Sequence, residues 1–235
     1  MSVESKRRQL RVPAQSAVDN VAAAIRDAIL RGDFRPGEGL PEIPLARLLN
    51  ASRGTVREAL RDLAELGLAD IFSNRGAFVS SLSGQKALEI FGLRSVLEAY
   101  AARLGVESGQ LRGENLERIE EGYRLLQEAA TSSDLLAVAE ADMEFHRRVS
   151  AACGQEIVLE ALARLQIQTR RFILATKLYE SDLEGEAESH LPVLRALTSG
   201  DPERVELAVR DHITRTGQLL LARMASITPG SVLSP

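Results

Sequence analysis

The chain has 235 residues, 45% of them apolar, with no tryptophan and one cysteine, Cys153. That length suits two domains of ordinary size, and a lone thiol excludes an internal disulfide and fits a reducing, cytoplasmic setting. No run reaches the roughly 18 apolar residues of a membrane span, the basic start lacks the apolar core of a secretory signal, and the formal charge of −4 divides into +2 over residues 1–82 and −6 over residues 83–235.

Residues 1–15 read as a flexible arm. From Ser16 to Arg31, Val18, Val21, Ala22, Ile25, Ala28 and Ile29 recur at helical spacing, and Gly32 stops the helix. A turn-rich loop, Asp33 to Gly39, leads to a short helix over about 43–49 with Leu45, Leu48 and Leu49 facing inward. Ser52 offers an N-cap for a third helix running to about Leu66. Leu68–Phe72 and Ala77–Ser80 read as strands around a hairpin tip at Ser73–Gly76. Helix, short helix, tight turn, helix and hairpin is the order of a winged helix-turn-helix, assigned to residues 16–82. Beyond the polar linker Ser81–Gly84 the pattern is helical throughout. Six segments are expected, about 84–108, 112–131, 133–152, 155–180, 184–199 and 202–226, with Pro202 in the first turn of the last. The expected fold class is mainly α: a winged helix-turn-helix, then an antiparallel six-helix bundle over 83–228 and a short tail, 229–235.

On a helical wheel of residues 53–66, Val56, Ala59, Leu60 and Leu63 form one apolar stripe, and Arg53, Arg57 and Arg61 line up beside it. A helix that buries one side and presents arginines on the next suits a major groove, where a guanidinium can donate twice to guanine O6 and N7 or anchor on phosphate. The Thr55 hydroxyl can reach a phosphate oxygen, Arg47 on the preceding helix joins the candidate contacts, and Asn74-Arg75-Gly76 forms a donor-rich wing tip. The competing reading is a solvated face, with Arg57 and Arg61 paired to Glu58 or Glu65.

Ala28-Ile29-Leu30-Arg31-Gly32, Arg35-Pro36-Gly37-Glu38, Leu40-Pro41-Glu42, Leu45-Ala46, Ser52 to Leu60 and Asn74 to Val79 together resemble the GntR family of bacterial regulators. The resemblance implies a homodimer on double-stranded, pseudo-palindromic operator DNA, with Arg53, Thr55, Arg57 and Gly76 at the interface. Two departures stand out: Ile43 where an arginine is common, and Gly54 where a threonine is common.

The three histidines occupy unusual places. Asp142 and His146 share one helical face with Leu135, Val138, Ala139 and Val149; His190 lies among Ala187, Val193, Leu194 and Leu197; His212 lies among Val205, Ala208, Val209 and Leu219. Titratable groups on buried stripes must be compensated. A divalent cation would satisfy all four at once, whereas separate core histidines bonded to neighbours would satisfy them one by one. Arg94 falls on the inward face of its helix with Ala87, Ile90 and Ala101. It can anchor an effector carboxylate or pair with Glu98, four residues on.

Asp142-x-x-Phe145-His146, followed by His190 and His212 with Gly200-Asp201 between them, resembles the FCD effector domain of the FadR-like GntR branch, over about residues 85–226. Six helices resemble its VanR-type subgroup more than the seven-helix fatty-acyl type. The resemblance implies that Asp142, His146, His190 and His212 hold one cation, zinc foremost, with nickel or manganese as alternatives. Gln155 departs from the asparagine usual after Gly154. The reading is a ligand-responsive repressor, not an enzyme, whose effector is a small carboxylate-containing metabolite. The alternatives are a bundle that only dimerises, an acyl-CoA sensor, and a metal-dependent enzyme using Glu144 or Glu188 as base.

Overall fold

The computed structural model describes residues 16–132, 134–179 and 182–227, which divide into two compact units at the Ser80/Ser81 junction. The arm expected over 1–15 and the tail expected over 229–235 lie outside the described residues.

In the first unit, α1 (Ala17–Arg31) opens on a reciprocal cap between Ser16 and Asp19, and closes at Gly32, whose φ of 84° lets its N–H turn back onto the Ala28 and Ile29 carbonyls. α2 (Glu42–Leu48) is short. It buries Leu45 and Ala46, whereas Leu48, expected inward, is 76% exposed. Leu48 sits about 200° around the helix from Ala46, so a single short helix cannot bury both. α3 (Arg53–Glu65) is capped by the Ser52 side chain on the Thr55 N–H, and it buries Val56, Ala59, Leu60 and Leu63, the expected stripe. β1 (Ala69–Phe72) and β2 (Gly76–Val79) form an antiparallel hairpin in the register Ala69↔Val79 to Phe72↔Gly76. The segment before α2 lies along β2, with the Gly37 N–H on the Val79 carbonyl and the Leu40 N–H on the Ala77 carbonyl.

The second unit is helical throughout its described residues: α4 (Gly84–Glu107), α5 (Glu114–Thr131), α6 (Leu135–Ala151), α7 (Glu156–Thr176), α8 (Leu183–Glu188), α9 (Leu191–Ser199) and α10 (Pro202–Ile227). One helix expected over 184–199 is therefore two. Pro192 explains the break: it lacks an N–H, and its ring would strike the Glu188 carbonyl, so α8 ends there and α9 restarts around it. With seven segments, helix number no longer favours the VanR-type subgroup over the fatty-acyl type.

α4 and α10 pack along each other in the core, with Phe91, Phe145, Phe172, Val205, Val209, Ile213 and Leu220 among the buried side chains. The buried face of α10 follows Val205, Val209, Ile213 and Leu220, and leaves Leu219, expected beside His212, 54% exposed. Gly217 permits the close approach of these two helices, since a Cβ there would lie 2.9 Å from the Phe91 Cβ. Gly217→Val is expected to cost about 1–3 kcal/mol through overpacking, read as a lower urea midpoint at unchanged slope. None of the described helices is long and apolar enough to cross a membrane.

Candidate functional site

The second unit brings the four predicted ligands together. Asp142 and His146 lie one turn apart on the buried face of α6, His190 stands at the α8/α9 break, and His212 projects from the buried face of α10. One donor atom from each falls within 4.8 Å of all the others, and the four residues are at most 7% exposed. His146 Nε2 is 3.3 Å from both His190 Nε2 and His212 Nε2, while Asp142 Oδ1 is 2.9 Å from His190 Nε2 and 3.7 Å from His146 Nε2. Donors sharing one ion at about 2.0–2.2 Å stand about 3–4 Å from one another. Four of the six donor pairs, at 2.9–3.7 Å, are close to that spacing and the remaining pairs lie within 4.8 Å. Imidazole nitrogen with one carboxylate is a donor chemistry suited to zinc and its neighbours in the first transition row.

Each imidazole also has an acceptor outside the cluster. His146 Nδ1 is 2.8 Å from Glu98 Oε2, His190 Nδ1 is 3.0 Å from the Glu186 carbonyl, and the His212 ring hydrogen-bonds the Ser189 backbone. With the protons on those outer nitrogens, the inner ring lone pairs would face one another, an arrangement that a cation would relieve.

Arg94 and Glu98 form a buried pair at 2.6 Å, each 1% exposed. The internal pairing considered for Arg94 is thus made, yet its Nη2 remains without a hydrogen-bond partner among the described residues. Burial would raise the Glu98 pKa, but Arg94 and His146 beside it hold it at about 2. Burial likewise opposes the Asp142 charge, and His190, His146 and Arg94 outweigh it, leaving that pKa lowered. His190 is pulled down by burial and carried above its ordinary value by its bond to Asp142. His212 falls well below its ordinary value through burial and the neighbouring imidazoles and Arg94. Glu186 is raised to about 7 by burial and the Asp142 charge, and it hydrogen-bonds Tyr179, itself buried. Glu98, Glu186 and Tyr179 were not among the predicted site residues. Glu98 was legible only as a partner for Arg94, four residues away.

In the first unit, Arg53, Arg57, Arg75 and Gly76 border one surface groove of about 570 Å³ together with Glu42. Arg57 donates twice to Glu42, from Nε and Nη2, each at 2.8 Å, and Arg53 Nη2 lies 3.3 Å from the same carboxylate. These hydrogen bonds, that from Arg57 foremost, lower the Glu42 pKa to about 2 against a desolvation cost. Arg75 lies over the Phe72 and Phe78 rings, 5.6 and 5.3 Å from their centroids, which fixes a cation at the wing. Gly76 has a φ of 83°, as the tight tip requires. The other predicted contacts do not line the groove. Arg47 and Asn74 are exposed, Arg61 pairs with Glu58 at 2.7 Å, and the Thr55 hydroxyl is 2.8 Å from Ser52 Oγ. Of the pairings weighed for the arginine face, Arg61–Glu58 is present, whereas Arg57 is held by Glu42, fifteen positions earlier.

A winged helix-turn-helix followed by a helical unit with a buried Asp/His₃ cluster defines a class of DNA-binding regulators with a separate helical domain. Residues 17–79 match the model of the bacterial regulatory proteins of the gntR family, and residues 89–215 match the FCD domain. The chain belongs to the GntR family, in its FCD-containing form, and is a transcriptional regulator rather than an enzyme. It is 33% identical over 197 residues to the "Probable D-xylose utilization operon transcriptional repressor" of Paenarthrobacter nicotinovorans, covering 82% of this chain and 85% of that protein. It is 27% identical over 232 residues to the Uxu operon transcriptional regulator of Escherichia coli K12, covering 88% of each. Among solved structures, E. coli McbR/YncC has the same fold, with a TM-score of 0.74 at 23% identity over 89% of this chain and 99% of that one. A transcriptional regulator GntR from Rhodococcus sp. RHA1 also scores 0.74, at 24% identity over 87% and 97%.

Proposed function

We propose that the chain is a dimeric repressor that binds a pseudo-palindromic operator through the Arg53/Arg57/Arg75 groove and senses a small carboxylate metabolite in its helical domain. Arg53 and Arg57 at the start of α3 serve as base and phosphate contacts, and Arg75 with Gly76 as the wing contact. Arg47, Thr55, Arg61 and Asn74 flank them on the backbone side. Asp142, His146, His190 and His212 hold a divalent cation, zinc foremost, which when bound supplies positive charge for an acid's oxygen. Arg94 orients the acid with its spare Nη2, while Glu98 keeps the guanidinium in place and the His146 ring turned towards Asp142.

The observation that carries the sensing half is the convergence of four buried donors whose imidazoles are each held from outside. One relative is named for a D-xylose utilization operon, which supports a sugar-related metabolite; the acid group is inferred from the cation site and Arg94. Metal analysis of purified protein, followed by thermal shifts with candidate sugar acids before and after chelation, tests it. The expected result is about one ion per chain and an acid response that disappears with the metal. An equal response in verified metal-free protein would overturn it. For the DNA half, Arg57→Ala is expected to weaken operator binding by about 1–3 kcal/mol while changing binding to a scrambled duplex far less. Small, equal losses in fluorescence anisotropy would reduce Arg57 to a phosphate contact.

A further inference from the structure

We propose that Glu42 sets the selectivity of the DNA-binding groove for operator over other duplex DNA, by tethering Arg57 and Arg53 and by opposing phosphate. The inference rests on the reading that this groove faces DNA. Glu42 is the only acidic residue among the groove's described lining, and it pairs with two of the three arginines there, Arg53 and Arg57. A negative charge on such a surface weakens attraction to any duplex, so a residue there needs another use if binding is to profit from it.

The hydrogen-bond pattern supplies one. Arg57 spends its Nε and one Nη2 hydrogen on Glu42. A guanidinium has five N–H donors in a fixed plane, so the Nη1/Nη2 edge stays available for two acceptors side by side, the pattern that guanine presents at O6 and N7. The tether removes side-chain freedom before DNA arrives. It also keeps the guanidinium from swinging freely to whichever phosphate is nearest. Non-specific complexes depend almost wholly on such phosphate contacts, so the carboxylate weakens them while leaving base-edge donation intact. Arg53, on the same carboxylate by a single longer contact at 3.3 Å, is held less tightly.

The experiment uses the full-length protein, a duplex recovered by selection from a randomised pool, and its scrambled counterpart, read by fluorescence anisotropy across a salt series. For Glu42→Gln, affinity for the scrambled duplex is expected to rise severalfold with a salt slope steeper by about one. The operator-to-scrambled ratio is expected to fall by about tenfold or more. Glu42→Asp keeps the charge but shortens the reach; it is expected to lower operator affinity while scrambled binding stays weak. If both duplexes shift by one common factor in either variant, with the ratio unchanged, the inference is overturned. Should Glu42→Gln fail to fold, as judged by its melting curve, Glu42→Asp decides alone by the same ratio. Arg57→Ala is run alongside. If it spares operator binding, the DNA reading of the groove fails; if it abolishes selectivity and the Glu42 variants do not alter it, only the role of Glu42 fails.

Discussion

Glu98→Ala is expected to destabilise the second unit by about 3–5 kcal/mol, because it strands the Arg94 guanidinium at 1% exposure without its counter-charge. Equilibrium urea unfolding would measure the loss. The carboxylate faces two ways, with one oxygen on Arg94 Nε at 2.6 Å and the other on His146 Nδ1 at 2.8 Å, so its removal also frees the His146 ring. Replacing both members with Arg94→Met and Glu98→Leu is expected to recover most of the stability, since an apolar pair of similar volume avoids burying charge. That double variant is expected to keep the fold and to lose the acid response proposed above. A Glu98→Ala variant as stable as the parent would show that the pair contributes no net stabilisation.

The same carboxylate has a pH signature. Its folded pKa of about 2 lies below the ordinary 4.5, so the stabilisation is complete above about pH 4.5 and fades as pH falls towards 2. The stability gap between parent and Glu98→Gln is therefore expected to be widest at neutral pH and to close in acid. A gap that widened on acidification would contradict this sign.

Asp142→Ala is expected to lower metal affinity by about a hundredfold or more, since even outer partners of a ligand contribute 10–100-fold and Asp142 is the one anion of the set. Competition with a chromogenic chelator would read the change, and metal analysis after dialysis is expected to show less ion per chain than the single equivalent proposed for the parent. Retention of a full equivalent with an unchanged chelator midpoint would mean that the four donors do not form the site. Neutral imidazoles are needed for binding, so metal is expected to leave on acidification, with the charging of His190, which Asp142 favours, competing first.

Much of this architecture was legible before any coordinates. The α3 stripe of Val56, Ala59, Leu60 and Leu63 was readable because its burial follows a 3.6-residue period without interruption. The four metal candidates stood out because each polar residue interrupts an apolar stripe, but their convergence on one cation was legible only through the resemblance to the FCD domain. What escaped was set by packing between distant segments. Glu42 reaches Arg57 only through the turn between α2 and α3, and Glu98 reaches His146 only because α4 lies against α6. Neither separation has a periodic signature. The α8/α9 break was present as Pro192, but Val193, Leu194 and Leu197 continue a helical rhythm across it, and that rhythm outweighed one residue.

The bend around Ser189 and His190 has an evolutionary corollary. Two of the three imidazoles are steered by main-chain atoms there, those of Glu186 and Ser189, instead of by side chains. Main-chain groups survive substitution. Sequence drift at positions 186 and 189 can therefore leave ring orientation untouched, provided that the chain still turns at this point. The vulnerable position for that steering is Pro192, which is not one of the four donors yet forces the turn; related chains lacking a helix-breaker near it would need another way to aim the same two rings.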